Sequence, residues 1–217
     1  MWLAILGGLE YLIGYFAVNE LSIGRTAATL ATPLDAAIPL VAGWVFIYSV
    51  AVPMCFTPAI FVRRIGQVRT AFVGFTVAMA LAVAVFLAYP VEMLRPPVPW
   101  GQTGDWLLDF TYKLDRPYNC FPSLHVGLDV YAALCCWAVN RVAGGAIWVM
   151  AGLISLSTLF VKQHYLADVA GGFLLAWVSY RTANSPAMLR LASAERLGSR
   201  ESRVESRESG TERSPSS

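Results

Sequence analysis

The sequence predicts an all-α protein: a six-transmembrane helical bundle followed by a disordered C-terminal tail. Three observations carry this expectation. The 217-residue chain is 57% hydrophobic and only 14% charged, whereas a soluble domain carries about a quarter charged residues. Two runs of 20 residues, 70–89 and 142–161, contain no charge at all, and about 20 apolar residues suffice for a helix to cross a bilayer. The last 37 residues, by contrast, hold 7 Arg and 5 Glu, and from 198 onward Val204 is the one apolar side chain, so the segment lacks the surface that folding must bury.

Each element follows from the apolar pattern. The first span is expected at 2–18. It has no basic residues ahead of it and is interrupted by Glu10, which suits a retained span better than a signal peptide. The second lies within 36–58 and contains Pro39 and Pro53. The third is 70–89, the fourth 124–140 and the fifth 142–161; the sixth, 165–180, is short. A soluble bundle with buried core helices is the alternative, and the two uncharged runs weigh against it. The domains are then a catalytic membrane domain over 1–180, with its motif region at about 95–172, and a polar tail over 181–217. Lys and Arg set the orientation. Arg63, Arg64, Arg69, Arg141, Arg181 and Arg190 share one side with the basic tail. That side is expected to be cytoplasmic, with both termini on it, and the loops 19–35, 90–123 and 161–164 to face outward from the plasma (inner) membrane.

Composition also excludes functions. A net charge of +2 without a basic stripe and interleaved aromatics does not suit nucleic-acid binding. Cys55, Cys120, Cys135 and Cys136 show neither a disulfide framework nor metal-ligand spacing and read as small apolar residues. Asp105, Asp109 and Asp115 are too scattered for a divalent-metal cluster. No metal and no cofactor are expected.

The chemistry-bearing residues collect on the outward side. His125 and His164 are the only histidines. His164 and Asp168 are four apart, within reach on one helix face. A carboxylate on one imidazole nitrogen makes the other more basic and nucleophilic. An interfacial histidine beside a helix-start carboxylate is the plainer reading, but ionisable groups at membrane depth are costly and functional by default. Pro122 and Ser123 open the fourth helix, whose N-terminus can receive an anion, with His125 facing it. Asp129, four beyond His125, is expected to be structural. Arg95, Lys113, Arg116 and Lys162 can surround a phosphate.

At these residues the chain resembles the type 2 phosphatidic acid phosphatase superfamily. Its membrane members are six-span bundles with three motifs: Lys…Arg-Pro, Pro-Ser-Gly-His, and Ser-Arg-x5-His-x3-Asp. Here the second is Pro122-Ser123-Leu124-His125, and the third is Ser157-Thr158, five residues, His164 and Asp168. Leu124 in place of Gly, the stretch 33–39 and the stretch 119–125 are similar to the branch of inositol phosphorylceramide synthases and related inositolphosphotransferases. The resemblance implies that His164 is the nucleophile forming a phosphohistidine and that Asp168 orients it. His125 would protonate the leaving group and then activate water or an alcohol, while Ser123 would bind phosphate. Three departures stand out. Neither Lys113 with Arg116-Pro117 nor Arg95-Pro96 keeps the family's six-residue spacing, Thr158 replaces the Arg (a role Lys162 could take over), and Leu124 adds bulk beside His125.

The function implied is metal-independent hydrolysis or transfer of a lipid phosphate, with a lipid phosphate or phospholipid as substrate. An inositolphosphotransferase-type transfer of a phospho-headgroup to an alcohol is the alternative within that chemistry. A non-enzymatic lipid-binding or transport protein is the alternative outside it, and the lack of an inverted repeat counts against a transporter.

Overall fold

The computed structural model describes residues 2–188, and over these the chain is all-α. The helices are α1 (Trp2–Leu21), α2 (Pro33–Ala37), α3 (Val45–Tyr48), α4 (Ala51–Met54), α5 (Pro58–Phe61), α6 (Ile65–Ala88), α7 (Asp105–Leu114), α8 (Leu124–Val139), α9 (Arg141–Phe160) and α10 (Leu166–Ala183), with a 3-10 turn at Ala42–Trp44 before α3. Of the expected tail, 181–217, the first three residues instead continue α10, and the part from 189 on lies outside the described residues. Among those described, α6 and α9 are long and apolar enough to cross a membrane, and α8 and the 42–54 segment are shorter apolar helices.

α8 is the centre. Most of its residues are buried, and it packs on α9, α10 and α6, while α1 lies against the outer side of α6. Asn140 joins α8 to α9 alone, as C-cap of one and N-cap of the other. Its Oδ1 accepts from Val142 N and Ala143 N at 3.0 and 3.1 Å, satisfying donors that a helix start leaves free. Close approach at this turn requires Gly144, where a Cβ would sit 2.4 Å from Trp137 Cα. At the other end of α8, Gly172 of α10 lies against the backbone. A Cβ there would be 2.8 Å from the Ser123 carbonyl oxygen. The first glycine lets α9 fold back on the end of α8, and the second brings the starts of α8 and α10 together.

Two expectations change. The region 36–58 is not one helix but a series of single turns. Pro53 and Pro58 remove backbone donors, and a proline ring clashes with the preceding turn; Pro58 starts a new turn as a first-turn residue. The long loop 90–123 contains α7, whose sequence alternates charge with apolar residues. Leu108 is buried against Ala42, Val45 and Val161, while Trp106, Phe110 and Leu114 form an exposed stripe at four-residue spacing. The helix α6 also begins at Ile65, earlier than the uncharged run suggests, because Arg69 is tolerated in its exposed first turns.

The loops at the histidine end of the bundle are pinned by short contacts. A single bridge pairs Ala28 with Val91. α2 has a capping box in which Thr32 and Asp35 satisfy one another's backbone. Asp35 then reaches further, accepting from Leu166 N at 2.8 Å.

Candidate active site

His125 lies in the first turn of α8. Ser123 caps that helix, its Oγ accepting from Val126 N at 3.3 Å, and Ser123 N donates to the Asp168 carbonyl at 3.0 Å. His164 sits in the turn between α9 and α10. That turn is held from behind: the Thr158 carbonyl, freed at the end of α9, accepts from both Gln163 N and His164 N, at 2.9 and 3.2 Å. Asp168 is the third residue of α10, and its Oδ2 accepts from Tyr165 N at 2.8 Å.

These three side chains form a line. His164 Nδ1 is 3.5 Å from Asp168 Oδ2, and His164 Nε2 is 3.4 Å from His125 Nδ1. The far nitrogen of His125, Nε2, is 3.1 Å from the hydroxyl of Tyr48. Asp168 is fully buried and His164 nearly so, while His125 is partly exposed, so the line opens outward at His125. Cavities of about 520 and 610 Å³ lie at the opposite end of the bundle, around Arg64 and Arg63 respectively.

The cations divide. Arg95 is beside the line: its guanidinium donates to the carbonyls of Tyr112 and Asp115, at 3.3 and 2.5 Å, and to Gln163 Oε1. It also lies over the Tyr112 ring, and its charge reaches His125. Lys113 is 74% exposed and pairs with Asp109 at 2.6 Å. Arg116 pairs with Glu20 at 2.8 Å on the surface. Lys162, in a left-handed turn at φ 53, donates to the carbonyls of Asp35 and Ile38. Of the four, the structure brings only Arg95 to the histidines.

Other residues resolve similarly. Thr158 is buried, and its hydroxyl is spent on the Ser155 carbonyl at 2.8 Å. Leu124 is 1% exposed and belongs to the core, so its bulk points away from the histidines. Asp129 is buried and makes no hydrogen bond to His125. Cys120, His164 and Asp168 present ligand atoms within 4.8 Å of one another. Burial, with Asp168 adding to it, pushes the Cys120 thiol well up. Sequence reading did not anticipate Tyr48, Gln163 or Asp115 at this site. Only Gln163 carried a signal, as the neighbour of His164.

The family model described as the PAP2 superfamily matches residues 69–185, more than half of the chain and all of the line from His125 to Asp168. The chain belongs to the PAP2 superfamily. No curated protein and no solved structure matches it. PAP2 superfamily members are phosphatases and phosphotransferases, so this PAP2 protein is an enzyme acting on a phosphate ester, not a non-enzymatic carrier.

In this PAP2 protein the turn that carries His164 is also anchored by Asp35. Burial alone would raise its carboxyl; hydrogen bonds from the Thr32 hydroxyl and the Leu166 and Thr32 amides, with Lys162 nearby, outweigh that and hold it below the ordinary range. A carboxyl lowered in the folded state stabilises above its unfolded value of about 3.9 and loses that contribution as pH falls through the folded value. Asp35→Ala is therefore expected to cost about 1 kcal/mol at neutral pH. The difference from wild type should vanish in acid, as thermal melts in detergent at the two pH values would show.

Proposed function

We propose that this chain is a six-span integral-membrane enzyme that removes or transfers the phosphoryl group of a lipid phosphate through a phosphohistidine on His164, without a metal. The line Asp168–His164–His125 carries this reading. The Asp168 carboxylate, 3.5 Å from His164 Nδ1, favours the tautomer with hydrogen on Nδ1 and leaves the Nε2 lone pair free. Nε2 attacks phosphorus, and the N–P bond forms as the ester P–O bond breaks. The leaving oxygen takes the Nδ1 proton of His125, which enters this step as the imidazolium with hydrogen on both ring nitrogens and leaves it as the neutral ring with hydrogen on Nε2. Water or an alcohol then attacks phosphorus and gives its proton to the same Nδ1. The N–P bond breaks, its electrons return to Nε2, and phosphate or a new phosphoester leaves. Arg95 supplies positive charge beside the phosphoryl oxygens, and Ser123 holds the helix start toward them.

A lipid substrate is supported by the exposed apolar side chains along the helices, among them Leu12, Ile13, Val149, Leu174 and Trp177, more than a soluble monomer leaves uncovered. The six-span topology over 1–180 puts the histidine end outside and both termini inside. Gln102 is exposed and all four native cysteines are buried. Gln102→Cys should therefore react with an impermeant thiol reagent in intact cells; labelling only after lysis would reverse the orientation.

The transfer variant, as in the inositolphosphotransferase-like branch, has one observation in its favour. The stretch 33–39, which resembles that branch, is fastened to the nucleophile turn through Asp35 to Leu166 N and through Lys162 to the Asp35 and Ile38 carbonyls. Purified protein with labelled phosphatidic acid in mixed micelles, in excess chelator and with or without inositol, separates these readings. Labelled free phosphate is expected in chelator, and labelled inositol phosphate appears only if transfer occurs. Activity lost in chelator and restored by magnesium would overturn the metal-independent route. His125→Ala is expected to lower kcat by about 10²- to 10⁴-fold, the usual contribution of a positioned acid and base.

A further inference from the structure

Behind His125 the structure builds a second polar line that no motif contains. Tyr48, buried in the turn α3, packs against His125 with ring centroids 4.7 Å apart and the planes tilted by 41°. Its hydroxyl is 3.1 Å from His125 Nε2 and donates to Asp115 Oδ2 at 3.2 Å. The other oxygen of Asp115 accepts from Tyr15 at 2.5 Å, and Arg95 lies 4.0 Å from Oδ2. Tyr15 and Tyr48 both precede the segment matched to the family, residues 69–185.

We propose that Tyr48 and Asp115 are positioning residues that fix the orientation and tautomer of His125, so that Nδ1 alone faces the reacting phosphoryl group. Counting protons leads there. Both oxygens of Asp115 accept from phenols, Oδ1 from Tyr15 and Oδ2 from Tyr48, and a guanidinium stands beside them. A phenol has one proton. Tyr48 gives its proton to Asp115, and its oxygen is left with lone pairs for His125 Nε2. Nε2 therefore carries hydrogen and donates it, and Nδ1 becomes the nitrogen that exchanges protons. That is the nitrogen 3.4 Å from His164 Nε2. Without the Tyr48 hydroxyl the ring keeps its packing contact but loses the bond that distinguishes its two nitrogens. Arg95 connects the two lines, since it contacts Asp115 and also Gln163 beside the nucleophile.

This inference rests on the phosphohistidine reading, and its test separates the two. Full-length wild type, Tyr48→Phe and Asp115→Asn would be assayed on phosphatidic acid, whose alkoxide leaving group needs a proton, and on p-nitrophenyl phosphate, whose leaving group does not. Acid-quenched samples would be probed for phosphohistidine. With phosphatidic acid, Tyr48→Phe should lose kcat about tenfold or more with KM little changed, a part of what acid–base catalysis supplies. With p-nitrophenyl phosphate, phosphorylation should proceed normally, and the phosphohistidine should accumulate because its hydrolysis needs Nδ1 as base. Asp115→Asn should show the same pattern, and adding Tyr48→Phe to His125→Ala should cost nothing more. Equal losses on both substrates, or a further loss on top of His125→Ala, would overturn the positioning role while leaving His164 as nucleophile. If wild type forms no phosphohistidine at all, the underlying reading falls and this inference with it.

Discussion

Alanine at position 164 is expected to reduce phosphate release by about 10³-fold or more, the scale on which loss of a covalent nucleophile is felt. The same substitution should abolish covalent labelling and leave the melting temperature close to wild type. His164 makes few structural contacts. Its backbone amide donates to the Thr158 carbonyl, an interaction that alanine retains, and its ring faces only His125 and Asp168. Asp168 is different, because its carboxylate also accepts from Tyr165 N at the start of α10, a bond that alanine removes. Asp168→Ala should therefore lose stability as well as activity. Parallel melts and rates for the two variants distinguish a chemical role from a structural one. A His164→Ala protein with normal turnover would rule out a phosphohistidine at this position.

Gly172→Val should be nearly as damaging, for a mechanical reason. A Cβ at 172 would meet the Ser123 carbonyl oxygen and Val126 Cβ at 2.8 Å and Gly127 N at 3.1 Å. Two of those atoms are backbone, so no rotamer change makes room and α10 must move away from α8. Overpacking of this kind costs about 1–3 kcal/mol. The displacement also pulls His125 away from Asp168, and a misplacement of about 1 Å is worth about 10²-fold in rate. The control is Gly152 in α9, where a Cβ would meet nothing within 4 Å. Gly152→Ala should leave activity unchanged and stability slightly raised, since alanine suits a helix interior better than glycine. A Gly172→Val protein that melts and turns over like wild type would show that the close α8–α10 contact does not govern the site.

Much of this was legible in the sequence, for identifiable reasons. Long apolar runs announce α6, α8 and α9, because their composition leaves few alternatives. His164 and Asp168 do approach one another, at 3.5 Å, but not on one helix face as their spacing suggested: His164 lies in the turn ahead of α10 and Asp168 in its first turn. The approach of His125 follows from chain direction. What was not legible depends on contacts between distant segments. The run 36–58 is apolar enough for a span, yet its prolines cut it into turns, and only the resulting path delivers Tyr48 to His125. The helix α7 was hidden by Asp109 and Lys113, which look like loop charges but sit on its outer face. The cations are the clearest case. Lys113, Arg116 and Lys162 are as close in sequence to the histidines as Arg95 or closer. Only Arg95 is drawn in, because the carbonyls of Tyr112 and Asp115 and the Gln163 amide converge on its guanidinium. No spacing rule encodes that convergence.

The single-residue joint at Asn140 has a further consequence. α8 and α9 are two rigid arms leaving one pivot, and their free ends carry the two imidazoles. His125 is 15 residues from the pivot, about 22 Å along the helix, so a change of one degree in the angle between the arms moves its tip by roughly 0.4 Å. A separation of 3.4 Å between the rings is thus read out at the long end of a lever. Whatever wedges or clamps the Asn140 turn, on the face of the molecule remote from the chemistry, is amplified into the gap where phosphorus must fit.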